Sequence, residues 1–518
     1  MIKQPESTSQ RVTMNTGILY AKMGVTVFIS LYTTRLILNS LGANDFGIFN
    51  IVGGVISMLG FLDVAMAGAT QRFMSHAKGA GDIAKQKNIF NVSIILHFII
   101  AFLIGVTLLV AGYFFFNGVL NIPPERIFAA RMVYLFMIAS TMFTIMTVPY
   151  DATLNAHENM LYYAIVGIIE SVLKLAVAIV VVNTLSDKLI VYGLLMACIS
   201  FFVMMIMRIY CHKKYEECVF KPKVYFQKEL MKEMTSFAGW NFIMSTVSIL
   251  TNYGQSIVLN VFFGPIVNAA QGIASQVCGQ VCVFSGNMLK ALNPVIVKNE
   301  GKGDRAFMLK AAMVGSKIAF FLLMFFAVPV IVEMPYIFKI WLKNTPDYAV
   351  IFCRLLLLRF LLEQLFLTIE SSIAAVGDIR NFCICQSMLM SLILPVGYIF
   401  YSYQFPPYVL HIIFLVSTCI TFAIILFFAK EKCGLSISLF FSQVVYRCII
   451  PFIITISISC IPLFFMESGL IRLCVVLSLN VLAYFGTVWL YGLTHDERNQ
   501  ILQLVSTIFK TIKQLRKK

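Results

Sequence analysis

A chain of 518 residues in which 59% of the side chains are hydrophobic and 12% are charged lies far outside the soluble range of about half and a quarter, and reads as a polytopic membrane protein. Each crossing takes about 20 apolar residues, so only short connections remain and no large soluble domain fits. The net charge of +16 does not call for nucleic acid, because Lys and Arg fall mainly in alternate loops, as the positive-inside rule expects of cytoplasmic connections.

The opening "MIKQPESTSQRVTMN" is too polar for a cleaved signal peptide and is expected to stay in the mature chain. Hydropathy in windows of about 19 residues then predicts an all-α fold of fourteen spans, starting near Thr16, Gly47, Ile89, Ile127, Met160, Leu189, Phe237, Pro265, Ala312, Val350, Phe382, Tyr408, Tyr446 and Leu470. The basic loop "CHKKYEECVFKPKVYFQKELMKE" separates spans six and seven and is the longest between spans. The thirteen cysteines are scattered through apolar runs, where they behave as small hydrophobes. Cys278 with Cys282, and Cys383 with Cys385, have no companion histidines, so packing rather than a metal or a disulfide framework is expected.

Basic residues follow even-numbered spans: Arg72, Lys78, Lys85 and Lys87 after span two, Lys213 to Lys232 after span six, and Lys298, Lys302, Arg305 and Lys310 after span eight. Both termini are therefore expected on the cytoplasmic side. Sliding the chain on itself by 222 positions, the interval between Gly79 and Gly301, lays Gly17 on Gly239, Gly42 on Gly264, Gly81 on Gly303 and Asp82 on Asp304. This predicts two six-helix lobes in parallel repeat, residues 1–222 and 223–435, followed by an additional helix pair, 436–493. The repeated turns "KGAGD" and "EGKGD" read as structural: glycine permits positive φ, and Asp82 or Asp304 can cap the next helix. In the tail, 494–518, Ile501, Val505, Ile508, Ile512 and Leu515 share a helical face beside five basic residues. The tail is expected to lie on anionic lipid at the inner leaflet, or to dock a partner enzyme.

Charges inside the spans are the informative residues, since each is disfavoured near the bilayer centre by about 2.5–3.5 kcal/mol on insertion scales. Lys22 lies in span one, Glu170 and Lys174 in span five, Lys317 in span nine, and Arg354, Arg359, Glu363 and Glu370 in span ten. Two readings stand for most of them. Arg354 is near enough to a span end to snorkel, and Glu170 with Lys174 can be a neutralising pair that lets its helix insert. In span ten, two cations and two anions imply a polar interior surface. Together these charges suggest a water-filled cavity between the halves with a cationic bias suited to an anion, and carboxylates available for H+ or Na+ coupling. The six histidines are isolated and no GxSxG or HExxH motif occurs, so no enzyme and no cofactor is expected.

The stretch "GANDFGIFNIVGGVISMLGFLDVAMAGATQRFMSHAKGAGD", Gly42 to Asp82, and more weakly "NAAQGIASQV", Asn268 to Val277, resemble bacterial polysaccharide biosynthesis proteins. These are the Wzx-type flippases of O-antigen and capsule repeat units, in the superfamily that also holds multidrug and toxic-compound extrusion (MATE) transporters. The resemblance implies a two-lobed twelve-helix core with two extra helices, and alternating access. It also implies polyprenyl-diphosphate-linked oligosaccharide as cargo, carried from the cytoplasmic to the periplasmic leaflet of the bacterial inner membrane, with glycan polymerase or glycosyltransferases as candidate partners. On that reading Lys22, Lys174, Lys317, Arg354 and Arg359 are the candidates for the anionic head group. Glu170, Glu363 and Glu370 are the candidates for ion coupling or for tuning those cations. The competing readings are a drug or cation exporter, which favours an acidic cavity, and a membrane-embedded glycan polymerase, against which the short outer loops argue.

Overall fold

A computed structural model describes residues 8–57, 61–116, 123–342, 346–499 and 502, which are helical nearly throughout and contain no strand. The first six helices are α1 (Thr8–Ser57), α2 (Phe61–Ala80), α3 (Ile83–Phe114), α4 (Ile127–Ala156), α5 (Met160–Asn183) and α6 (Lys188–Lys214), and the short α7 (Pro222–Tyr225) lies in the basic loop. Next come α8 (Lys228–Gly301), α9 (Arg305–Leu342), α10 (Ala349–Gln364), α11 (Leu367–Val376), α12 (Arg380–Ser402) and α13 (Val409–Phe428). The chain closes with α14 (Ile437–Phe440), α15 (Tyr446–Cys460), α16 (Pro462–Phe465) and α17 (Leu470–Thr487). Among the described residues, ten helices are long and apolar enough to cross a membrane.

The predicted spans map onto these rods, but at two places neighbouring spans run on without a loop. α1 contains the junction of spans one and two, and α8 that of spans seven and eight. Each is interrupted at a single glycine, Gly42 (φ 77°, ψ 169°) and Gly264 (φ 78°, ψ −175°). At that φ a Cβ collides with its own backbone, so only glycine breaks the helix cheaply. The two breaks are the same conformation 222 residues apart, as the repeat requires.

The paired turns agree to the hydrogen bond. Gly81 N–H donates to the Lys78 carbonyl (3.3 Å) and Asp82 N–H to that of Ala77 (3.2 Å). Gly303 N–H donates to Glu300 (2.9 Å) and Asp304 N–H to Asn299 (3.0 Å). Both are helix ends closed by a left-handed glycine, at φ 73° and 78°. Asp82 then caps α3 by accepting from Lys85 N–H at 2.8 Å, as expected.

The chain separates into two compact units. The N-terminal unit comprises Thr13–Ser245 with Val297–Asp304, and the C-terminal unit contains Thr246–Ile296 and the residues from Arg305 onward. In the first, α4 and α6 pack closely because small residues face the seam. A Cβ at Gly193 would already lie 3.1 Å from Val133, the kind of approach that holds helices together in lipid. Around it Ile104, Leu108, Ala130, Ile138 and Leu189 form one apolar core.

In the second unit α17 is tied to α9 at three depths. Arg472 donates from Nε and Nη2 to the two carboxylate oxygens of Glu333 (2.8 and 2.9 Å). Asn480 Nδ2 donates to the Phe325 carbonyl (3.2 Å), and beyond the end of α17 Glu497 receives Lys317 Nζ (2.5 Å). At 1.5 Å rise per residue, Lys317 and Glu333 are about 24 Å apart along α9, most of the hydrocarbon thickness of about 30 Å. The late helices are thus bolted to span nine over nearly its whole depth.

Of the predicted tail helix, only Thr494 to Asn499 and residue 502 fall among the described residues; the amphipathic face itself lies outside them. The described part opens on a reciprocal cap: Thr494 N–H donates to Glu497 Oε2 (2.8 Å) and Glu497 N–H to Thr494 Oγ1 (3.3 Å). Burial raises the Glu497 pKa, but the hydrogen bonds and charge of Lys317 outweigh it, and the carboxyl ends below its ordinary value. A carboxylate depressed on folding contributes stability above its unfolded pKa of about 4.3, and that contribution is lost as pH falls through the folded value. Thermal unfolding in detergent should therefore be insensitive to this pair between pH 6 and 8 and lose its contribution below about pH 4. Glu497→Gln should remove that part of the acid-side loss; an unaltered acid limb in the variant would discount the pair.

Candidate functional site

The candidate site is a cavity of about 210 Å³ within the C-terminal unit. Its charged wall comes from predicted span ten. Arg359 and Glu363 sit four apart on α10 and so share a face; Arg359 Nε donates to Glu363 Oε1 at 2.8 Å. α10 stops at Gln364, where Leu365 N–H donates to Leu362 (3.1 Å) and Phe366 N–H to Glu363 (3.2 Å), a tightened turn of i to i−3 bonds. α11 resumes at Leu367 and brings Glu370 to the same cavity. Span ten, expected as one rod, is therefore two half-helices meeting at the site.

The opposite walls are neutral and hydrogen-bonding. α8 supplies Thr251 and Asn252, α12 supplies Gln386, and α13 supplies Ser417 and Thr421. Phe414 of α13 lies under the Arg359 guanidinium, 4.7 Å from ring centroid to Cζ, a cation–π contact that leaves the donors of the fork facing sideways. The Glu370 carboxyl has no hydrogen-bond or ion-pair partner among the described residues. Gln386 is 6% exposed and its Oε1 is also without a partner. The cavity thus offers a paired arginine, a free carboxyl, a free amide oxygen and several hydroxyls. In this cavity one cation stands against two carboxylates. Glu363, one turn after Arg359, pairs with it and so tunes that cation.

The remaining predicted residues go to three other places. In the N-terminal unit, Tyr163, Gly167, Glu170 and Lys174 recur at steps of four, three and four along one face of α5. Lys22 of α1 reaches over Tyr163, with Nζ 4.1 Å from the ring centroid. Gly167 makes room for it: a Cβ there would lie 2.2 Å from Lys22 Cε. Glu170 and Lys174 pair at 2.6 Å, each side chain about two-fifths exposed, at 38% and 41%. Lys22, Glu170 and Lys174 thus gather on a second polar face, on which Glu170 and Lys174 neutralise each other.

Lys317 does not reach the cavity; it is buried with Glu497. Arg354 does not reach it either. Pro335 has no N–H to give the Ile331 carbonyl four residues earlier, and Arg354 Nε fills that vacancy at 2.9 Å, with Nη2 near the Val332 carbonyl at 3.5 Å. Arg354 is a cap for a proline kink. In the same kink Glu333 leaves the helical region (φ −97°, ψ 16°) and is wholly buried. It was missed, though the signal was present: a glutamate in the apolar run "PVIVEMPYIF" between two prolines needs a buried partner. Also missed was the cluster in which Arg126 bridges Asp45 and Asp187. Burial raises the Asp187 carboxyl, and the bonds from Arg126 and from two backbone N–H groups at the start of α6 bring it below its ordinary value.

Residues 22–180 match the MatE family model. No curated protein matches the chain. Among solved structures, an outward-facing multidrug resistance MATE family transporter of the MOP superfamily aligns at TM-score 0.70 with 13% identity, covering 83% of this chain and 97% of its own. A MATE in the bent conformation aligns at 0.72 with 14% identity, over 83% and 96%. A MOP superfamily transporter from Pyrococcus furiosus, described as having a binding pocket of reverse polarity that suggests a different function, aligns at 0.69 with 13% identity, over 83% and 96%. The chain therefore has the all-helical fold of the MATE transporters, with a MatE region over residues 22–180.

Proposed function

We propose that this chain is a secondary transporter that works by alternating access and carries polyprenyl-diphosphate-linked oligosaccharide from the cytoplasmic to the periplasmic leaflet of a bacterial inner membrane. The observation that carries the reading is the cavity of the C-terminal unit, where the Arg359–Glu363 pair stands beside an unpaired Glu370 amid hydroxyls and amides. Sugars leaving water need their hydroxyls met by donors and acceptors and their apolar faces met by rings, and Ser417, Thr421, Asn252, Phe366 and Phe414 supply both. The polyprenyl tail can remain in lipid. Lys22 and Lys174 in the N-terminal unit suit the diphosphate, which binds best through charge-assisted hydrogen bonds. Glu370 with Gln386 Oε1 suits the coupling ion, H+ or Na+, since both present unpaired oxygens. The resemblance of Gly42 to Asp82 to the repeat-unit flippases supports the cargo.

One observation favours a second reading, a drug or cation exporter: two carboxylates outnumber the single arginine in the cavity. Depletion of the protein separates the two. Lipid-linked oligosaccharide accumulating on the cytoplasmic face of the membrane is the result expected for the flippase. Normal glycan with altered drug tolerance would replace that reading with the exporter.

A further inference from the structure

At the turns that betray the repeat, two backbones touch in a reciprocal way. A Cβ placed on Gly79 at the end of α2 would lie 1.9 Å from the carbonyl oxygen of Lys298, and one placed on Gly301 at the end of α8 would lie 2.1 Å from that of His76. His76 and Lys298 are themselves 222 residues apart, so each glycine receives the carbonyl that is the repeat image of the one its partner receives. All four belong to the N-terminal unit. The obstacle is main chain in both cases, and neither side can yield by changing a rotamer. Lys298 is held as well through its side chain, whose Nζ meets Glu158 Oε1 at 2.7 Å. Glu158 sits in a left-handed turn at φ 57°, and its carbonyl accepts from Asn15 Nδ2 at 3.1 Å.

We propose that these contacts form a clasp between the ends of α2 and α8 that is closed in one conformation of the transport cycle and open in the other, with Gly79 and Gly301 as its positioning residues. The proposal rests on the alternating-access reading above. A seam of glycine against carbonyl buries little side chain, and its Cα–H···O contacts are weak individually. Because the contact is made twice by the same geometry, closing and parting are all-or-none for both halves. Such a contact can bias a two-state equilibrium without trapping it. A Cβ at either glycine excludes the closed state and leaves the open one untouched.

The test uses the full chain with its thirteen cysteines replaced, Lys78→Cys and Lys302→Cys carrying spin labels, in lipid nanodiscs, read by double electron–electron resonance. Two distance populations are expected. Gly79→Ala and Gly301→Ala should each deplete the short one at least about tenfold, a shift of about 1.4 kcal/mol. Gly68→Ala, on the same helix with open space around it, should leave it unchanged. A single invariant distance, or alanine variants with the original distribution, would overturn the clasp. Should the alanine variants fail to fold, the glycine-intact pair joined by a reducible bismaleimide should lose transport and regain it on reduction; transport that continues while cross-linked would overturn the clasp equally. The distance measurement needs no cargo, so a wrong cargo leaves this result standing and a failed clasp leaves the cargo reading standing.

Discussion

Arg472→Ala is expected to destabilise the protein by about 3–5 kcal/mol, the largest single effect of any substitution considered, because it strands a charge rather than removing a contact. Glu333 is wholly buried, both its oxygens are taken up by Arg472, and that guanidinium also reaches the Met466 carbonyl at 3.3 Å. Glu333→Ala should cost a comparable amount from the other side. The double replacement Glu333→Leu with Arg472→Met should recover most of the loss, since an apolar pair of similar volume avoids desolvating either ion. Thermal unfolding of purified protein in detergent measures all three. A single variant within about 1 kcal/mol of the parent, the value of an exposed pair, would mean that water reaches Glu333.

Arg359→Ala is expected to lower transport of lipid-linked oligosaccharide about ten- to a hundredfold, as loss of hydrogen bonds from a charged group worth about 1.5–3 kcal/mol implies. The amount of inserted protein should change far less, because Arg359 faces a cavity and not a packed seam. The variant also leaves Glu363 without its partner, so Arg359→Ala combined with Glu363→Gln separates the two effects. If Arg359 only neutralises Glu363, the double variant transports normally. If it holds cargo, the double variant inserts like the parent and still fails to transport. Normal glycan export at normal expression of Arg359→Ala would remove Arg359 from the site.

The fold was legible in the sequence because lipid makes each span declare itself: a membrane helix must be apolar for its whole length. The repeat was legible through glycines, since Gly42 and Gly264 are held at a φ other residues avoid, and chemistry of that kind leaves a mark on identity. The site was legible only in part. Glu363 lies one helical turn from Arg359, and that pairing can be read from spacing. The fates of Lys317 and Arg354 cannot, because Glu497 is 180 residues from the first and the carbonyls taken by the second are 23 and 22 residues away. Nothing local distinguishes a cation facing a cavity from one facing a distant carboxylate. Gln386 was passed over because an amide carries no insertion penalty large enough to draw notice beside a charge.

The bolts between α9 and α17 also set an order of events during synthesis. Arg472 leaves the ribosome 139 residues after Glu333, which at about 5–20 residues per second is a wait of about 7–28 s. Glu497 is later still, 180 residues behind Lys317. Through that interval α9 carries Glu333 and Lys317 with no counterion from the later segment, so it must linger near the insertion machinery or shelter beside another helix. Maturation of the second half is therefore governed by the segment from Arg472 to Glu497, and a nascent chain halted before Arg472 is a substrate for quality control rather than a shorter working protein.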